Sequence, residues 1–227
     1  MGRYVPEIKG MLRSYIIEIP DVIRQASGIK IFGKVLKSFI FTTDVAVIKN
    51  NNADAIMAVY PFTPQPLITQ TLVSAADVPV FCGVGGGTTM GKRVANLALD
   101  AEFKGAMGVV VNSPTSNEVI RNMRDTIDIP IIVTVVSEYE DIEARINAGT
   151  TILNVSGARK TAYIVKKIRE KFPDFPIIAT GGSTEETIIE TIEAGANAIT
   201  YTPPPIADIF SDTMQRYRLM YENESND

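Results

Sequence analysis

Short apolar runs rich in Val, Ile and Phe alternate along this chain with longer amphipathic stretches. The short runs carry few charges, as strands buried on both faces do. In order they are Ser38–Thr42, Ala55–Tyr60, Pro79–Val84, Ala106–Asn112, Pro130–Val136, Thr151–Val155, Pro176–Thr180 and Ala198–Thr202. Each is followed by a helical pattern. In Glu185–Ala194, for example, Ile188, Ile189 and Ile192 share one stripe. Strand-then-helix repetition builds parallel sheets. Eight such units in 227 residues predict an α/β fold, a single (β/α)8 TIM barrel over residues 37–220.

An internal repeat supports closure. Three strands open alike, with Asp77-Val78-Pro79-Val80, Asp128-Ile129-Pro130-Ile131 and Asp174-Phe175-Pro176-Ile177. A proline at a strand entrance costs little, because the missing N–H is not needed there. The strands between them follow small-residue openings such as Gly105-Ala106, Ala148-Gly149 and Ala194-Gly195-Ala196. Two alternating unit types fit a closed sheet; a doubly wound open sheet does not predict them. Thr115–Glu118, Ser137–Glu140 and Ser183–Glu186 read as capping boxes, and Thr63-Pro64 as a cap before a first-turn proline. Residues 1–36 are expected to form an N-terminal helical extension. Two roles suit it: a plug in the barrel's bottom, or a contact in a homo-oligomer. Residues 221–227 read as a frayed polar tail.

Composition narrows the function. The net charge of −4, from 22 basic and 26 acidic residues, argues against nucleic acid as a partner. No apolar run approaches the ~18 residues of a membrane span, and Met1–Lys9 is polar, unlike a signal peptide. One cysteine, Cys82, allows no internal disulfide. A cytoplasmic protein without a membrane partner is expected. The chain has no histidine at all. That removes Ser-His-Asp and Cys-His nucleophiles and histidine-ligated metals. Acid–base work falls to carboxylates, Lys, Tyr, Cys82 or the substrate itself.

In a barrel of this kind the site lies at the carboxyl ends of the strands. The sequence places Asp44, Tyr60, Cys82, Glu138, Asn154 and Thr180 there. Asn154 and Ser156 share one strand face, as do Thr200 and Thr202. This mouth is polar but almost uncharged. It lacks the acid cluster of a divalent-metal enzyme, so no metal is expected. It also lacks a Schiff-base lysine, because Lys37 enters the first strand at the opposite end. Asp44, Tyr60, Glu138 and Asn154 are the candidate catalytic residues. Helix-cap electrostatics also accounts for Asp44 and Glu138, and a rim position for Tyr60.

The seventh strand runs into Thr180-Gly181-Gly182-Ser183, and the eighth follows Glu193-Ala194-Gly195-Ala196. Here the sequence resembles the phosphate-binding TIM-barrel superfamily, which includes keto-deoxy-phosphogluconate aldolases, N-acylmannosamine-phosphate epimerases and thiazole synthase. The resemblance covers residues 174–202 by motif and most of the chain by architecture. It implies that the amides of Gly181, Gly182 and Ser183 bind a ligand phosphate at a helix N-terminus. The chain departs from that pattern after the eighth strand. Thr202-Pro203-Pro204-Pro205 removes donors from the other half of the phosphate cup.

Two loops offer replacements. Ser156-Gly157-Ala158-Arg159-Lys160-Thr161 combines a glycine turn with two cations, making Gly157 and Arg159 candidate ligand-binding residues. It resembles a loop of the flavin-dependent hydroxy-acid oxidases, without their histidine or their strand-5 lysine. The second loop, Gly83–Arg93, holds five glycines within Gly83–Gly91 and a Gly86-to-Lys92 G-x-x-x-x-G-K pattern. Arg93 stands where a P-loop needs a hydroxyl on magnesium, so an NTPase is rejected. A mobile amide-rich flap is the expectation.

These features point to an enzyme, a lyase, isomerase or synthase, acting on a phosphorylated small molecule without a cofactor. The alternatives are a phospho-ligand-binding barrel without turnover and an FMN-binding oxidoreductase.

Overall fold

The computed structural model describes residues 6–8, 10–11 and 16–224. A 3-10 turn, Asp21–Gln25, precedes a hairpin of β1 (Ile29–Ile31) and β2 (Lys34–Leu36). Eight strand-helix units follow: β3 (Ser38–Phe41), α1 (Val45–Lys49), β4 (Ala55–Ala58), α2 (Pro66–Ala75), β5 (Val80–Gly85), α3 (Lys92–Phe103), β6 (Gly108–Val111) and α4 (Asn117–Arg124) open the series. It continues with β7 (Ile131–Val135), α5 (Ile142–Ala148), β8 (Ile152–Val155), α6 (Thr161–Lys171), β9 (Ile177–Thr180), α7 (Glu185–Glu193), β10 (Ala198–Tyr201) and α8 (Ile206–Glu224). Strands β3 to β10 pair in parallel in chain order, and β10 closes on β3 through Thr200 opposite Phe39. This is the predicted (β/α)8 barrel.

The repeat prolines explain part of the closure. The carbonyls of Pro79, Pro130 and Pro176 accept from the amides of Ile56, Val109 and Leu153 on the preceding strands, at 2.8, 2.9 and 3.0 Å. Each proline thus keeps its acceptor in the ladder and lacks only a donor at the strand's start.

Alternation sorts the side chains into two cores. Outward residues such as Ile40, Ile56, Val109 and Ile199 pack under the helices. Inward residues Phe39, Met57, Phe81, Val110, Ile132 and Ile178 fill the barrel. Phe39 and Phe81 meet edge to face, with ring centroids 5.2 Å apart. Gly108 makes room for them: a Cβ there would lie 2.7 Å from the Phe81 ring.

The N-terminal segment departs from expectation. Its described part is a 3-10 turn and a β-hairpin, not a helical extension. Ile29-Lys30-Ile31 alternates with period two and Gly33 turns the chain at φ 85°. Ile29, Ile31 and Leu36 join the inner core from below and plug it. Asp54 Oδ2 accepts from the amides of Lys37 and Ser38 at 2.8 and 3.0 Å, tying the segment to β3 and β4. Lys37 lies at this lower end, donating to the Arg24 carbonyl. The remaining positions of 1–36 (1–5, 9 and 12–15) lie outside the described residues.

Helix starts fall one to four residues later than expected. Ser116, Asp141 and Thr184 are the N-caps rather than Thr115, Ser137 and Ser183, and Gln65-Pro66 opens α2 rather than Thr63-Pro64. The tail is helical through Glu224, where a frayed end was expected from 221. Past Ile206, which packs on the outer core, the apolar stripe of α8 is exposed.

If the hairpin is the barrel's floor, Ile31→Ala leaves a cavity under Phe39 and lowers stability by about 2–5 kcal/mol. Urea unfolding checks this. A loss under ~1 kcal/mol would place the hairpin outside the core.

Candidate functional site

Above the apolar layers the inward positions turn polar on one side of the barrel. Thr134 on β7, Asn154 on β8, Thr180 on β9 and Thr200 on β10 follow Ile132, Ile152, Ile178 and Ala198 at the next inward step. Thr134, Asn154 and Thr200 are buried; Thr180 is partly open. Asn154 Nδ2 donates to Thr134 Oγ1 at 3.4 Å, and Asn154 Oδ1 has no partner. Asn154 is only 7% exposed, so that orphan oxygen is a cost unless something occupies the mouth.

The other candidates are placed as follows. Asp44 caps α1, its Oδ1 accepting from Ala46 and Val47 amides at 2.8 and 3.3 Å. Tyr60 Oη accepts from the Gln65 amide at 3.0 Å, which leaves its own proton free to donate. Glu138 is bound to Lys160 Nζ at 2.7 Å. That hydrogen bond, chiefly, holds its carboxyl below the ordinary glutamate range. Glu138 is therefore ionised at neutral pH and is a poorer base than the sequence suggested.

Two amides expected to bind phosphate are already used. Gly181 N–H donates to the Thr200 carbonyl at 3.3 Å, and Gly157 N–H to Thr161 Oγ1 at 3.1 Å. Closing the barrel consumes the first and starting α6 consumes the second. Gly182 and Ser183 remain, exposed, just before the Thr184 cap of α7. Gly182 has φ 84°, and a Cβ on it would lie 2.4 Å from Thr187 Oγ1 inside the capping box. This conformation, held for the turn, is one that only glycine adopts freely. Arg159 is exposed on the neighbouring β8 loop.

Cys82 does not reach the mouth. Phe81 and Gly83 point inward and Cys82 packs in the outer core, where burial pushes its thiol up to about 12. It is an inert apolar filler. The glycine loop is partly locked. A Cβ on Gly86 would lie 2.5 Å from both Asn112 N and Thr115 Oγ1, and the Gly86 amide donates to Thr89 O at 3.1 Å.

Sequence reasoning missed Glu140 and Arg145. Glu140 Oε1 accepts from Ser113 Oγ at 3.0 Å and the Val136 amide at 2.8 Å. Arg145 donates to the carbonyls of Ser113 and Thr115 and to Asn117 Oδ1. Together they stitch the β6–α4 loop to the β7–α5 loop. The partners of Arg145 lie 28 to 32 residues away, so no local pattern announces them; Glu140 bonds Val136 locally, as the end of the expected capping box, and only its Ser113 partner is brought in by the fold. Thr89 Oγ1, Thr115 Oγ1, Glu140 Oε2 and Asn154 Oδ1 are the buried side-chain oxygens without a hydrogen-bond partner among the described residues, although Glu140 Oε2 faces Arg145 Nη2 at 3.8 Å as an ion pair. All four belong to the carboxyl half of β5 to β8 or the loops that follow.

Cavities at the mouth are small. A cleft of about 70 Å³ lies between Tyr60, Phe62, Gly85 and Asn112, and Asn154, Thr180 and Cys82 do not line it. Larger grooves lie elsewhere, one of about 440 Å³ between α5 and α6. That outer groove is lined by Glu140, whose Oε2 is one of the four unpartnered oxygens; the other three lie at the carboxyl ends of β5, β6 and β8 or in their loops, which favours the mouth as the candidate site. Among the described residues no three acidic, Cys or His side chains cluster to hold a metal. No helix among them is long and apolar enough to cross a membrane.

No protein-family model matches the sequence, and no curated protein matches it. Solved structures do. Phosphonopyruvate hydrolase in complex with oxalate and Mg++ is 13% identical, with a TM-score of 0.61 over 82% of each chain. A 2,3-dimethylmalate lyase of the PEP mutase/isocitrate lyase superfamily is 12% identical, with a TM-score of 0.59 over 89% of this chain and 85% of the other. A mandelate oxidase mutant carrying an FMN adduct is 13% identical, with a TM-score of 0.60 over 78% and 68%. At such identities these likenesses establish the TIM barrel and leave the chemistry open. The sequence resemblance to phosphate-binding barrels is thereby supported as far as the fold.

The Glu138–Lys160 pair makes a testable point. Its contribution is present above the ordinary glutamate range and is lost as pH falls through the lowered pKa. In a carboxyl NMR titration, Lys160→Met should move the Glu138 midpoint up toward the ordinary value. An unmoved midpoint would show that Lys160 does not hold it.

Proposed function

We propose that this chain is an enzyme of the lyase, isomerase or synthase class, acting on a small phosphorylated metabolite at the carboxyl mouth of the barrel. The observation that carries the reading is the neutral polar floor around Asn154, whose buried oxygen lacks a partner, beside two accessible amides at the start of α7. Gly182 and Ser183 hold the phosphate through their amides, with Arg159 on the β8 loop supplying the positive charge, since Glu185 and Glu186 already occupy the first turn of α7. Asn154 orients the reacting part of the substrate. Proton transfer falls to Tyr60, which retains a donor, and to Asp44, whose Oδ2 takes no part in the α1 cap. Solved structures of lyase and hydrolase barrels with similar folds are consistent with this reading. The Mg++ bound in one of them has no counterpart in the residues here. Asp44 has a single oxygen outside its cap, Glu138 is bonded to Lys160 and Glu140 to Ser113 and Val136, and the floor offers only neutral oxygens and an amide.

Inorganic phosphate titrated into ¹⁵N-labelled protein tests the anion site. The Gly182 and Ser183 amides should shift saturably, and Gly181, bonded to Thr200, should shift much less. Shifts confined to the lysines of α6 would overturn the assignment.

A further inference from the structure

Resting on that reading, we propose that the part of the substrate over the floor is hydroxyl-bearing and uncharged, so that the ligand is a phosphorylated polyol or sugar rather than a metal-chelating oxo-acid. Asn154 is buried with one amide atom spent on Thr134 and the other unpartnered. Either orientation of the amide leaves one polar atom without a hydrogen bond, an acceptor in one case and a donor in the other. A hydroxyl satisfies both, being donor and acceptor at once. A carboxylate satisfies only the second and brings a charge. The neighbouring groups at this level, Thr134, Thr180 and Thr200, are hydroxyls that rotate to give or take a proton, with no cation among them. Lys160 is occupied by Glu138. A carboxylate over this floor would have neither counterion nor metal, and burying it would be costly.

Calorimetry with glycerol 3-phosphate, propyl phosphate and oxalate plus Mg²⁺ tests the inference. Glycerol 3-phosphate should bind at least about tenfold more tightly than propyl phosphate, which lacks the hydroxyls. Asn154→Leu should bring the two within about twofold and leave propyl phosphate unchanged. Should that variant misfold, the wild-type comparison decides alone. Equal binding of the two phosphates by the wild type, or tighter binding of oxalate with Mg²⁺, would overturn the hydroxyl inference and leave the phosphate site standing. Silence from all three probes and from inorganic phosphate would overturn both.

A separate observation concerns α8. Phe210, Met214, Tyr217 and Met220 lie on one side of this 19-residue helix, and all are exposed, Phe210 at 64%. Asp208, Asp212 and Gln215 take the other side with Leu219, while Arg218 flanks the groove of Met214, Tyr217 and Met220. The apolar side amounts to on the order of 500 Å², the upper end of what a monomer carries in one patch. Val45, at the start of α1, is also exposed, while Phe41 shares the inward face of Phe39 and belongs to the mouth. We infer that a second copy of this chain covers the α8 face. A two-fold pairing in which the two α8 faces lie against each other buries the patch on both copies, on the order of 1,000 Å² in total, the low end of a specific interface. Light scattering after size exclusion should give twice 24.7 kDa for the wild type. Phe210→Glu with Tyr217→Glu should give a folded monomer by circular dichroism. A wild-type monomer at 50 µM would overturn the pairing, and so would a dimer that survives both substitutions.

Discussion

The structure depends on the closure of eight short parallel strands whose side chains must alternate between two cores. Each barrel strand offers only two or three inward positions. The lower ones must fill the interior, which Phe39, Met57 and Phe81 do by volume and the hairpin does by sealing the open end. What remains for chemistry is one upper ring per strand and the loops above it. In this chain the ring is a neutral set of threonines and one asparagine on β7 to β10, with Phe41, Val59, Gly83 and Asn112 opposite.

The charges near the mouth hold the mouth together instead of facing it. Glu140 and Arg145 fasten two successive loops through backbone groups, and Glu138 and Lys160 link the β7 and β8 loops. Positioning a small floor needs rigid loops, and hydrogen bonds from charged groups are stronger than neutral ones. The result is a site shaped by ions that presents almost none. It suits recognition by hydroxyls and amides, beside the anion site proposed at the start of α7.

Much of the barrel was legible because its signals are local. Proline at three strand entrances, small residues at helix ends and uninterrupted Val/Ile runs each act over a few residues. The N-terminal hairpin was misread because strands of three residues give too little alternation to separate from a helical stripe. Cys82 illustrates the phase problem: one residue along a strand separates the mouth from the helix layer. The loss of the Gly181 and Gly157 amides to Thr200 and Thr161 follows from where strands and helix caps end, within a residue or two. Arg145 was invisible because its partners are brought in by the fold, and Glu140 was legible only as the end of a capping box, its link to Ser113 coming from the fold. Asn154 was found by alternation alone, and its orphan oxygen emerged only from the packing around it.

On the proposed reading a ligand completes the floor around Asn154. A crystal structure of the protein soaked with glycerol 3-phosphate tests this. A ligand hydroxyl is expected within hydrogen-bonding distance of the Asn154 amide, and the phosphate against the Gly182 and Ser183 amides. Ligand bound in the groove between α5 and α6, with the Asn154 floor vacant, would contradict it.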